Sequence, residues 1–172
     1  MTDILNEVPQ EPKVQLFNVD TGQEIFEDDP DSVIDYGEVK AGDESETIKL
    51  RFWNNRNGET VCSTMRDSEI FVLDSNKGKT NPLVTEGWLH AKCTTGGDST
   101  FTRLNDKNSL SIKATGLEDG MIEGGINDGN PEGEQGKKNH ADIETYIQII
   151  ENVLTASHGD KPFYIALRYY FT

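Results

Sequence analysis

The sequence predicts an all-β fold, an antiparallel β-sandwich of about eight to nine short strands with one long Gly/Asp-rich loop. Three observations carry that expectation. Ile48, Leu50 and Phe52 alternate with Lys49, Arg51 and Trp53, which is the period of a strand with one buried face. The chain closes on a second alternating run. Phe163, Ile165, Leu167, Tyr169 and Phe171 take one face, and Tyr164, Ala166, Arg168 and Tyr170 the other. Between these runs, short β-like stretches recur, punctuated by Gly, Asn and Asp turn residues.

The elements follow in chain order. Residues 1–12 are polar, with Pro9 and Pro12, and predict a flexible or docking arm ahead of a sandwich domain over 13–172. Lys13 to Val19 is a first strand, and Glu27 to Asp31 a charged turn closed by Pro30. Val33 and Ile34 begin a short strand. Gly37 supplies a tight turn, because glycine accepts a positive φ, and Ala41-Gly42 a second turn. The strand through Ile48 ends in the turn residues Asn54 to Gly58. Ser68–Leu73, Gly87–Cys93, Thr100–Leu104 and Leu110–Ala114 read as further strands, with Asn105 to Asn108 as the turn joining the last two. None of this shows helical periodicity.

Glu118 to Asn139 is a long stretch rich in Gly, Asp and Asn; loops of that length are usually functional or mobile. Ala141 to Leu154 fits two readings. Ile143, Tyr146, Ile147, Ile150, Val153 and Leu154 recur at helical spacing, with Asn139 as a cap. The density of β-branched and aromatic residues favours a strand over 143–151.

The length of 172 residues fits one domain. A hydrophobic share of 34% is low for a globular chain, and thin β-layers with polar loops produce that profile. The 31 acidic against 16 basic residues, a net charge of -15, argue against binding nucleic acid or an anionic membrane. No apolar run approaches the ~20 residues of a membrane-spanning helix. The opening MTDILNEVPQEP lacks the basic and apolar regions of a secretory signal, which leads to the expectation of a cytoplasmic product. In that compartment Cys62 and Cys93 are expected as free thiols rather than a disulfide.

Chemistry-bearing constellations are sparse. No G-x-S-x-G elbow is present, and His90, His140 and His158 lie far apart in sequence. Cys62, Cys93 and His90 lack the paired spacing of a zinc site. Asp128, Asn130, Glu132 and Gly133 give D-x-N-x-E-G, the start of a calcium loop, in which oxygens at alternate positions meet a hard cation. Position twelve of that loop is Asn139 rather than a bidentate Glu. Calcium is therefore the one cofactor the sequence raises, and a plain acidic loop is the competing reading. Trp53 and Trp88 are candidates for a sugar-stacking platform, against the commoner role of sheet packing. Among so many carboxylates, no pair is singled out for glycoside hydrolysis.

The run Ile34-Asp35-Tyr36-Gly37-Glu38-Val39, then Ala41-Gly42, then Ile48 to Asn55 resembles the opening of immunoglobulin-like sandwiches of the ASPM/SPD-2/Hydin type. The wider pattern is similar to immunoglobulin-like virion proteins of tailed phages and of phage-tail-like particles of Gram-positive bacteria. That similarity includes the extended segment from Thr145 to Ile150, a connector with Ala156 and Gly159, and the final run from Phe163 to Phe171. The resemblance implies a non-enzymatic structural subunit of a capsid, neck, tail or baseplate. It further implies other virion proteins as partners, a homo-oligomer following particle symmetry, and assembly in the bacterial host cytoplasm. The alternative reading is a carbohydrate-binding or host-adhesion module using Trp53 and Trp88.

Overall fold

In the computed structural model, residues 10–150 and 161–172 are described. His158 and the Ala156–Gly159 connector fall outside them, as do residues 1–9 of the expected arm. Nine strands are found among the described residues: β1 (Val14–Asn18), β2 (Glu24–Ile25), β3 (Ile48–Asn54), β4 (Arg66–Asp74), β5 (Leu89–Cys93), β6 (Thr102–Leu104), β7 (Leu110–Ser111), β8 (His140–Ile147) and β9 (Phe163–Tyr170). They form two antiparallel sheets, a six-stranded one in the order β2-β1-β3-β8-β5-β6 and a three-stranded one in the order β7-β4-β9. The sheets face each other as a sandwich.

The alternation read from the sequence sets the faces. In β3, Leu50 and Phe52 turn inward and are buried. Ile143 and Ile147 of β8 and Leu89 and Ala91 of β5 complete that wall of the core. The opposite wall is Ile70 and Val72 of β4, with Leu167 and Ile165 of β9 directly beside them in register. Cross-strand neighbours on one face are the unit of sheet stability. On the outer face of the large sheet, Arg51 donates two hydrogen bonds to its register partner Asp142, at 2.6 and 2.8 Å. Lys92 pairs with Glu144 at 3.1 Å. The His90 ring lies flat on Tyr146, 4.7 Å away.

The ambiguous segment is a strand. β8 lies between β3 and β5, so ladder hydrogen bonds on both sides outweigh its helical spacing. It runs over His140–Ile147 rather than 143–151. Beyond it, Gln148 bridges Glu44, and residues 151–154 lie outside the described part.

Three expectations change. First, Val33–Val39 is not a strand. The Asp35 carboxylate accepts the Gly37 N–H at 2.8 Å, Gly37 has a φ of 71°, and the chain crosses between the sheets instead of joining either. There the Tyr36 hydroxyl meets Thr145 Oγ1 at 2.5 Å, and its ring stacks on Phe163 at 6.0 Å. Burial pushes the Tyr36 phenol pKa up, against a lowering from the Thr145 bond. Second, a one-turn helix α1 (Pro82–Thr85) interrupts the chain after β4. Asn81 caps it by accepting the Leu83 N–H at 3.0 Å, and Pro82 supplies the preset first turn. The Asn105–Asn108 turn is found between β6 and β7 as expected. Asn105 Oδ1 accepts the N–H of Lys107 and Asn108, each at 2.8 Å, and the chain passes from β6 in one sheet to β7 in the other.

The third change concerns the long 118–139 segment, which is packed onto the sandwich. Ile122 is fully buried and bridges Met65. The Asn55 amide donates to Thr60 and Gly124 carbonyls, both at 2.8 Å, and Asn139 Nδ2 donates to Asn54 O and Gly125 O. Gly136 sits so close that a Cβ there would stand 1.9 Å from Asn130 O. At the near end of the arm, Pro12 is buried and Gln10 O accepts the Ser63 N–H at 2.8 Å.

Tyr36→Phe is expected to lower unfolding free energy by about 1 kcal/mol, the usual worth of one hydrogen bond. Gly136→Ala should cost more, because backbone must move to admit the methyl group. Urea denaturation of the two variants beside the wild type measures both, and an unchanged midpoint for Gly136→Ala would contradict the packing described.

Candidate functional site

Six strands oppose three, so part of the large sheet's inner face has no facing strand. At the β1–β2 end this leaves a groove of about 1120 Å³. One wall is β9, through Phe163, Ile165 and Leu167. The other is Val14, Leu16 and Ile25 of β1 and β2. The segment from Phe26 to Ile34 closes one side. The lining is apolar and partly open to water: Val14 is 37%, Phe26 54% and Val33 61% exposed. Solvent-facing apolar groups gathered in one place mark binding surfaces more often than scattered ones do.

Local chemistry fixes the rim. The charged turn expected at Glu27–Asp31 is present, with Asp28 at a φ of 62°. Asp29 Oδ1 accepts the Asp31 N–H at 2.9 Å, and the buried Ser32 hydroxyl accepts the Phe26 N–H at 2.9 Å. Lys77 reaches from the loop after β4 to Glu27 at 2.5 Å and lies over the Tyr164 ring. The Tyr164 hydroxyl donates to Asp28 Oδ1 at 3.3 Å. These contacts strap the small sheet to the large one at the Tyr164 end of the groove.

The Lys77 loop is itself built on one carboxylate. Asp74 accepts the N–H groups of Asn76 and Gly78, both at 2.9 Å, and of Thr80 and Asn81, both at 3.4 Å. The Gly78 bond leads in holding its pKa below the ordinary aspartate range, since backbone donors favour the charged form.

The residues singled out from the sequence lie elsewhere. Asp128 Oδ1 accepts the Asn130 N–H and Asn130 Oδ1 the Glu132 N–H, each at 3.0 Å. All three are exposed on successive turns, with these oxygens engaged by their own backbone. Among the described residues, no group of three or more His, Cys, Asp or Glu is placed to hold a metal ion. Trp53 is 2% exposed, packed against His140 at 4.9 Å. Trp88 is 4% exposed in the core, with its indole N–H on Glu86 at 3.0 Å. Neither ring offers a face to solvent. The structure thus keeps Asp128, Asn130 and Glu132 as neighbours in one exposed loop and brings neither Trp53 nor Trp88 to the surface. Burial, over a backbone contact to Gly136 O, lowers the His140 pKa, and burial likewise lowers that of His90. Cys62 and Cys93 are buried free thiols.

Sequence reasoning passed over Phe26, Val33 and the inward residues of β9 as functional. The available signal was an isolated Phe26 beside the charged turn, a large apolar residue with no alternating partner to bury it. The sequence matches no protein-family model and no curated protein.

Because Phe26 and Val33 already face water, Phe26→Ser and Val33→Ser are expected to change stability by no more than about 0.5 kcal/mol. A loss several times larger in denaturant titrations would mean that the groove lining is core. Asp74 gives a pH-dependent outcome. A carboxylate with a depressed pKa stabilises the fold above its unfolded value of about 4 and loses that contribution as pH falls through the folded value. Asp74→Asn should therefore be less stable than wild type near neutrality, with the gap narrowing in acid. Denaturation midpoints across a pH series check this, and a gap independent of pH contradicts it.

Proposed function

We propose that this chain is a non-enzymatic structural component of a tailed-phage virion or phage-tail-like particle, acting through protein–protein contacts. The observation that carries the reading is the open apolar groove bounded by strand β9, a surface suited to another polypeptide. An antiparallel sandwich with the motif from Ile34 to Asn55 and the closing run from Phe163 to Phe171 supports the same reading through its resemblance to virion sandwiches. The strong negative charge keeps such a subunit soluble before assembly. Other virion proteins are its partners, and its copies follow the symmetry of the particle.

The carbohydrate-binding alternative rests on Trp53 and Trp88, and the burial of both leaves it without a stacking surface among the residues named for it. Particles purified from a producing strain, analysed by peptide mass spectrometry and electron microscopy, are expected to contain the chain at a stoichiometry set by symmetry. Particles complete without it would overturn the assignment.

A further inference from the structure

We propose that the groove takes an extended, basic segment of a second protein, which adds as a strand to the outer edge of β9 and turns alternate apolar side chains into the slot. This deepens the reading of the chain as a protein–protein contact module and rests on it.

Among the described residues, β9 is hydrogen-bonded only to β4. An edge strand turns the N–H and C=O of every second residue away from its sheet, and an incoming strand satisfies them. The groove is lined by Phe163 to Leu167 of β9, and of these Phe163, Ile165 and Leu167 are the half-buried side chains packed against the core. An added strand therefore needs apolar residues at every second position and polar ones between. β9 spans eight residues, so a segment of similar length matches it.

Charge selects the occupant. Glu24, Glu27, Asp28 and Asp29 line the groove against Lys77 and Lys161, and Lys77 is already paired with Glu27. Like charges facing each other across an interface are unfavourable. A second copy brings the same acidic rim and a net charge of -15. Residues 1–9 and 151–160 contain no Lys or Arg, so neither supplies the complementary charge. A foreign segment carrying Lys or Arg between its apolar residues does.

The test uses three capped ten-residue peptides: alternating Lys and Val, the same composition in two blocks, and alternating Glu and Val. Fluorescence anisotropy reads binding, and hydrogen exchange reads the β9 amides. The alternating Lys peptide should bind at least tenfold tighter than either control and slow exchange along β9. Its affinity should fall at least tenfold in Phe26→Ser/Val33→Ser, whose exposed positions leave the fold intact. Equal binding of the alternating and block Lys peptides would reduce the groove to a nonspecific acidic surface and overturn the proposal. So would absence of binding, or full protection of every β9 amide in the chain alone, which would mean that the chain itself or a second copy covers the edge. A chain recovered from particles that binds none of the peptides keeps the structural assignment and loses this one. A chain that binds the alternating peptide but is absent from particles does the reverse.

Discussion

The organising constraint is the mismatch in width between the two sheets. Strands lie ~4.8 Å apart, so six span ~24 Å and three only ~10 Å. More than half of the large sheet's inner face must be covered by something other than the small sheet. Away from the groove, Leu83 and Val84 of α1, together with Ile112 and Ile122, join the buried core outside the paired strands. At the centre the cover is the Val33–Val39 crossing, whose Tyr36 reaches Thr145 on β8. At the β1–β2 end the cover runs out, and the groove is what remains.

Polar side chains hold the covering segments where no ladder can. Backbone that leaves a sheet must still satisfy its donors and acceptors. Asn54, Asn55 and Asn139 do so for the long 118–139 segment and the chain beside it, with bonds to three carbonyls of that segment, Ile122, Gly124 and Gly125, and to those of Asn54, Thr60 and Ser63. Asp74 does the same for the loop after β4. Asn55 Oδ1 and Ser68 Oγ are buried without a partner among the described residues, so these networks are close to complete but not saturated. A stretch whose length and Gly, Asp and Asn content suggest a functional or mobile loop is instead fitted onto the sandwich, with Gly136 O on the buried His140 ring.

The sandwich was legible where burial follows period two. β3 and β9 stand out because each packs one face on the core and turns the other outward. β8 was harder, since its apolar positions fit two periods and only its neighbours β3 and β5 decide between them. The Val33 strand failed because its alternation is real while its ladder is missing: Ile34 and Tyr36 turn inward from a segment that crosses the sandwich. The groove was not legible at all. It arises from the absence of facing strands at one end, a property of how nine strands divide into two sheets, and no local pattern encodes that division. Trp53, weighed between a stacking platform and sheet packing, is packed: it lies on the outer face of β3 against its register partner His140.

The order of strands in the large sheet has a consequence for how the chain acquires its shape. β8 lies in the middle of that sheet but is the last of its six strands along the chain. Until it arrives, β3 has only β1 beside it, and β5 only β6. Arg51 waits 91 residues for Asp142, and Tyr36 waits 109 for Thr145. β9 completes the small sheet later still. Long-range pairing of this kind delays the rewarding contacts until most of the loop entropy has been spent. Without β8 the large sheet would fall into two groups with open sides, β2-β1-β3 and β5-β6, and β8 is the strand that joins them. During that interval self-association is the hazard, and the acidic charge that gives the groove its rim also keeps half-made copies apart.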